Sequence, residues 1–225
     1  NNTLLRSEKP AKRLTEAIKR SGEITLEAWI KPANTKQIGP ARILSLSRDS
    51  TNRNLTLGQD GDKYDVRFRT TKTSNNGLPS LASNSRSLST RLTHVAYTRG
   101  RSGKARIYLN GKQVAEKTVA GETSNWDGSY RLALGNEHNG SRAWQGTYYL
   151  VAIYNRDLSP GEVALNFKSG AGAASGLVAR RGPDPKAVHF ETKVAPIFAN
   201  HCIECHDAAT RKGKFDLTRK ATAFA

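Results

Sequence analysis

The sequence predicts a mainly β chain: an antiparallel β-sandwich followed by a small C-terminal α-helical segment. Three observations predict it. Short apolar runs recur at near-regular intervals through residue 154, and an Asn-Gly pair sits between two of them. Beyond a Gly/Ala/Ser-rich stretch that begins at Ser169, the apolar period changes from strand-like to helical.

The first element is a short helix within residues 6–20, with Leu14, Ala17 and Ile18 at helical spacing and Ser21-Gly22 as its stop. Residues 24–30 alternate and then meet Pro32, which reads as a strand ending at a proline. Strands follow over 43–46, 55–58, 64–69, 93–97 and 105–109. Asn110-Gly111 then turns the chain into a strand over 113–115, because both central positions of a type I′ turn need positive φ. Residues 131–135 and 148–154 complete the set, and Ser159 to Phe167 suggests a short closing helical turn. Many short strands with turn signals at such spacing argue for a sandwich. Arg67, Arg69, Arg106 and Arg131 fall on the polar phase, which predicts a basic outer sheet face. His94 is expected at a sheet edge, Trp29 in the core, and Trp126 and Trp144 as sugar-stacking platforms if exposed.

Four segments result: a lead-in with a helix over 1–22, the sandwich over 23–168, a Gly/Ala/Ser/Pro linker over 169–186, and a helical segment over 187–225. In the last, Phe190, Val194, Ile197 and Phe198 form one apolar face that runs into Cys202.

The 225 residues hold 36 Lys+Arg and 19 Asp+Glu, a formal charge of +17. Residues 169–225 contribute nine basic and five acidic side chains, so +4 lies there and +13 lies in the first 168. The sandwich is therefore the cationic part, suited to sulfated or acidic polysaccharide, anionic lipid or an acidic protein. Nucleic acid is disfavoured, since the basic residues are scattered along strands rather than gathered on a recognition helix. No apolar run approaches the roughly 20 residues of a membrane-spanning helix. Two cysteines are too few for a disulfide framework. The absence of methionine, even at position 1, suggests a processed chain or an excerpt.

Chemistry concentrates in His201-Cys202-Ile203-Glu204-Cys205-His206. Cys-x-x-Cys-His is the attachment signature of haem c: two thiols about one helical turn apart add to two vinyl groups, and the adjacent imidazole ligates the iron. A zinc site using His189 or His201, or a redox dithiol, are the alternatives. Methionine, a common second axial ligand, is not in this chain. His189 precedes His201 by 12 residues, about 18 Å along a straight helix, so it competes as second ligand with an ordinary solvent-facing role. An open site, a ligand from another chain and a ligand beyond Ala225 are the other options, the last being favoured. Glu122, Asp127 and Glu137, with Asn125 and Asn136, offer loop oxygens for a calcium ion, against the simpler reading of turn chemistry.

Residues 24–32, the 105–114 hairpin, and 150–154 followed by 158–163 resemble the laminin G-like branch of the concanavalin A-like sandwiches. Residues 39–43 and 53–59 resemble a bacterial subgroup of it, and the resemblance covers roughly residues 10–168. It implies a jelly roll that binds carbohydrate or protein at its loops, sometimes with calcium. Residues 187–220 resemble the start of the planctomycete-type cytochrome c domain, which implies Cys202 and Cys205 as thioether anchors and His206 as proximal ligand. That family continues to a distal-ligand loop and a final helix, which this sequence does not contain.

The expectation is an exported bacterial protein, periplasmic or at the cell surface, combining haem electron transfer with a binding module. Its partners would be a redox protein or neighbouring copies, and an acidic glycan. A haem enzyme with an open sixth position and a haem-stapled filament or adhesion subunit are the alternatives.

Overall fold

The computed structural model describes residues 4–176, with side chains through residue 170. The chain divides into two units, Asn1–Gly172 and Ala173–Ala225. The first contains β1 (Leu5–Arg6), α1 (Lys12–Ser21), β2 (Ile24–Pro32), β3 (Ala41–Ser47), β4 (Arg53–Asp60), β5 (Lys63–Phe68) and β6 (Leu81–Ala82). Then come β7 (Thr93–Arg99), β8 (Lys104–Leu109), β9 (Lys112–Thr118), β10 (Arg131–Leu134), β11 (Gly146–Tyr154) and most of α2 (Pro160–Gly176), which ends past Gly172.

Two antiparallel sheets form the sandwich. Sheet A has the order β1-β10-β3-β4-β5-β6, and sheet B the order β11-β2-β7-β8-β9. Period-two alternation sends Ile24, Leu26, Ala28 and Ile30 of β2 into the space between the sheets, where they join Leu55, Leu57, Val66, Phe68, Val95, Tyr97 and Ile107. Phe68 contacts Trp126 and Tyr97 at centroid distances of 5.1 and 6.0 Å, and the Arg99 guanidinium sits over its ring. The expected strands all form, and the Asn110-Gly111 turn has positive φ at both positions, 50° and 77°.

The lead-in differs from expectation. Residues 5–6 pair with β10 as an edge strand, and the helix begins only at Lys12. It stops at Gly22, whose φ of 67° gives a left-handed cap with its N–H on the Ile18 carbonyl.

The closing turn is also larger than its sequence suggests. A capping box starts α2: the Ser159 N–H donates to Glu162, and the Glu162 N–H donates back to Ser159 Oγ. With Arg156 also donating, the Glu162 carboxyl is held down at about 2. The helix then runs through Gly176, so residues 169–176 of the expected linker are helical. Gly170 explains the small residues at the one position where the packing is described. A Cβ there would lie 2.5 Å from the Trp29 ring, so only glycine lets the helix lie this close to the sheet.

Helix α2 covers the outer face of sheet B. Phe167 stacks on Trp29 at 5.7 Å with planes 13° apart, and Val163 and Leu158 pack on Ala96 and Tyr108. This is why β2 is buried on both faces instead of alternating. Trp29 is therefore buried, but under the helix rather than between the sheets. His94 lies on β7, the central strand, and is fully buried; the sheet-edge position expected for it does not hold. Its Nε2 donates to Glu27 at 2.7 Å, and Tyr154 and Asn166 donate to the same carboxylate. Burial would raise the Glu27 pKa, but these donors together hold it below the usual carboxylate range.

Candidate functional site

The loop end of the sandwich is accessible and basic side chains collect there, whereas β3 and β4 of sheet A are buried on both faces. On the sheet faces the strand arginines are largely neutralised. Arg67 Nε donates to Asp65 at 3.2 Å, and Arg106 and Lys104 both reach Glu116. The basic outer face predicted from strand phase is thus paired at Arg67 and Arg106, while Arg131 stays exposed and Arg69 half-buried.

At the loop end three clefts adjoin. The largest, about 580 Å³, is lined by Arg48, Asn52, Arg69, Asn75, Asn125 and Asp127, among others. A second of about 260 Å³ shares Arg48 and adds Arg6, Arg131 and His138. A third of about 190 Å³ shares Ser124 and brings Lys19, Arg20, Arg99 and Arg101. Eight Lys and Arg residues line them with two carboxylates, Glu122 and Asp127; Arg99 among the eight is buried, and Arg48 and Lys19 are paired with Asp49 and Glu16.

Local hydrogen bonding builds the walls. Asp49 accepts from the Thr51 and Asn52 backbones, both at 2.8 Å, from the side chains of both, and from Arg48 at 3.0 Å. Partial burial opposes ionisation, yet these donors hold its carboxyl far below the usual range. The opposite wall is the β9–β10 loop. There Trp126 Nε1 donates to the Arg69 carbonyl at 2.6 Å, and Asn125 Nδ2 to the Thr70 carbonyl at 2.9 Å. Asn54 ties it down by donating to the Asp127 carbonyl and accepting the Asp127 N–H. Two polar atoms of this cleft, Arg69 Nε and Asn125 Oδ1, are shielded from solvent without a hydrogen-bond partner.

A buried polar layer positions the Arg48 turn. Arg42 Nε donates to Glu137 at 3.1 Å, with both side chains fully buried, and Ser47 Oγ also donates to Glu137. Arg53 lies beside them and donates to Thr56 Oγ1 at 2.8 Å. Both guanidiniums donate to the Ser50 carbonyl, so the turn is fastened from below. Burial and the neighbouring Arg42 pull the Arg53 guanidinium down to about 9, so it stays charged near neutral pH. Two buried cations thus face one carboxylate.

Glu137, one of the loop oxygens considered for calcium, is engaged by this layer. The oxygen set proposed from the loops does not come together: Glu137 is committed to Arg42, and Asp127 accepts from Ser129 in a cleft it shares with Arg48 and Arg69. Among the described residues no group of three or more His, Cys, Asp or Glu gathers. Trp126 and Trp144 are buried and bonded, Trp144 Nε1 donating to Gln59, so neither is a stacking platform. Cys202, Cys205, His206 and His189 lie outside the described residues. Of the cleft residues, Arg69, Arg131, Glu122, Asn125, Trp126 and Asp127 carried a functional signal in the sequence; most of the others come from segments that only the tertiary fold joins.

Two antiparallel sheets, a helix sealing one face and a loop-built polar cleft define a lectin-like β-sandwich. The chain belongs to the concanavalin A-like lectin/glucanase superfamily, residues 8–164 matching its laminin G-like model. Among solved structures it is similar to a heptameric SAP-like pentraxin from Limulus polyphemus: TM-score 0.54, 14% identity, 73% of this chain and 75% of that one. It is also similar to the binding domain of botulinum neurotoxin DC in complex with SialylT, with TM-score 0.51, 15% identity, and 66% and 36% covered. The chain spans little more than a third of the toxin binding domains. These likenesses bear on fold alone. No curated protein matches. Among the described residues no helix is long and apolar enough to cross a membrane.

Proposed function

We propose that the sandwich is a binding module for an acidic polysaccharide, sulfated or uronate-bearing, in an exported c-type haem protein that transfers electrons. One observation carries the binding half: three adjoining clefts at the loop end of the sandwich are lined by seven accessible cationic side chains, besides the buried Arg99, and by two acidic ones. A single anion needs one such cleft, whereas a row joined through Arg48 and Ser124 suits a ligand with repeated charges.

The haem half rests on Cys202-Ile203-Glu204-Cys205-His206. Cys202 and Cys205 would hold the porphyrin and His206 its iron, with His189 a candidate on the opposite face. The haem supplies one-electron redox chemistry, passed to a redox protein or a neighbouring copy.

One experiment tests both halves. The exported protein is loaded on a heparin column and eluted with salt while haem absorbance is followed. Retention that falls steeply with salt is expected, with haem and polypeptide co-eluting and staying joined after denaturation. Arg48→Ala combined with Arg69→Ala is expected to weaken binding about three- to tenfold. Elution with a neutral control domain overturns the binding reading, and a polypeptide without attached haem overturns the redox one.

A further inference from the structure

We infer that a second copy of this chain pairs antiparallel along β11, joining two five-stranded sheets into one across a two-fold axis. A sheet edge offers unpaired N–H and C=O groups, and proteins blunt such edges by shortening or charging them. Three of the four edges here are blunted. β1 and β6 are two residues long, and β9 carries Lys112, Glu116 and Lys117.

β11 is different. It runs nine residues, Gly146–Tyr154, about 30 Å of edge, without one charged side chain. Among the described residues no backbone hydrogen bond reaches it from the side away from β2. A bulge at Tyr149 interrupts it near its start and leaves 150–154 in regular register with β2. Tyr149 and Leu150 are 44% and 47% exposed. The apolar surface continues past Gly146 into a cavity of about 480 Å³ lined by Leu5, Leu134, Trp144 and Tyr148.

Charge selects the occupant. A chain of net charge +17 repels its own copy over most of its surface, so self-contact belongs where charge is absent. An acidic partner would be drawn instead to the cationic clefts. The strand is also self-complementary. In a register centred on Ala152, Leu150 of one copy opposes Tyr154 of the other on the outer face, and Val151 opposes Ile153 on the core face. Each of these cross-strand pairs is apolar, of the kind that stabilises sheets, and the two-fold closes the assembly at two copies.

Sedimentation velocity of the full haem-loaded chain, from about 1 µM to about 0.1 mM without polyanion, tests this. A reversible monomer–dimer equilibrium is expected. Leu150→Lys, at a half-exposed position, is expected to raise the dimer dissociation constant at least about tenfold with an unchanged thermal midpoint. As a second measurement, hydrogen exchange of the wild type should show amides of residues 150–154 slowing as concentration rises. A wild type monomeric at the highest concentration overturns the proposal, as does a dimer indifferent to Leu150→Lys or open-ended oligomers. Exchange in β11 that ignores concentration does the same.

Discussion

Glu137 is the side chain on which the binding end depends. It is fully buried and neutralises Arg42 directly, while Arg53 lies close by without a carboxylate of its own. Removing one member of a buried pair leaves the other charged and desolvated, which costs about 3–5 kcal/mol. Glu137→Ala is accordingly expected to destabilise the sandwich by that amount in urea unfolding; a change below about 0.5 kcal/mol would mean the pair is not formed. The sequence does not disclose this role. Arg42 and Glu137 are 95 residues apart, and Glu137 lies in a loop segment among other oxygen donors, so composition alone groups it with Glu122 and Asp127 as a calcium ligand. Only strand order brings β3 and the β10–β11 loop together. His94 misleads for the same reason: its alternating neighbours identify a strand, but no local pattern says that the strand is central.

At the level of elements, β2 and α2 act as one unit. The Thr25 hydroxyl donates to the Arg156 carbonyl at 2.8 Å and accepts the Leu158 N–H at 2.9 Å, so the turn into α2 is pinned to β2. Phe167 then rests on Trp29 and His94. Phe167→Ala is expected to cost about 1–2 kcal/mol, less than the 3–5 of a fully buried ring because Phe167 is half-exposed. A red shift of tryptophan emission should accompany it as Trp29 gains water; an unchanged spectrum would count against the contact. The strands were legible because a half-buried sheet imposes a period of two on its residues. The length of α2 was not, since glycine and alanine read as a flexible tract unless the ring that demands them is known.

Over the whole molecule, the charge excess of the first 168 residues is sorted by pairing. Carboxylates on the sheet faces take up Arg67, Arg106 and Lys104, while Arg6, Arg69 and Arg131 gather at the loop end beside Arg48, which pairs with Asp49. Net charge pointed to a polyanion partner from the sequence, but not to the place where it would dock. The clefts are assembled from α1 and from the loops after β3, β5, β7, β9 and β10, segments whose mutual positions no periodicity encodes. The C-terminal motif is the reverse case: the haem proposal rests on six consecutive residues alone, because the chemistry it implies would be local.

The double burial of β2 bears on how the domain can be cut. A fragment stopped at residue 158, where sandwich strands end, would strip the lid from Trp29, Ala96 and Tyr108 and leave a sticky hydrophobic plateau on sheet B. Such a fragment should clump on purification, whereas one carried through Gly170 should stay dispersed. A light-scattering comparison of the two would decide the matter, and the practical border of the folding unit falls inside the tract whose composition advertises a loose tether.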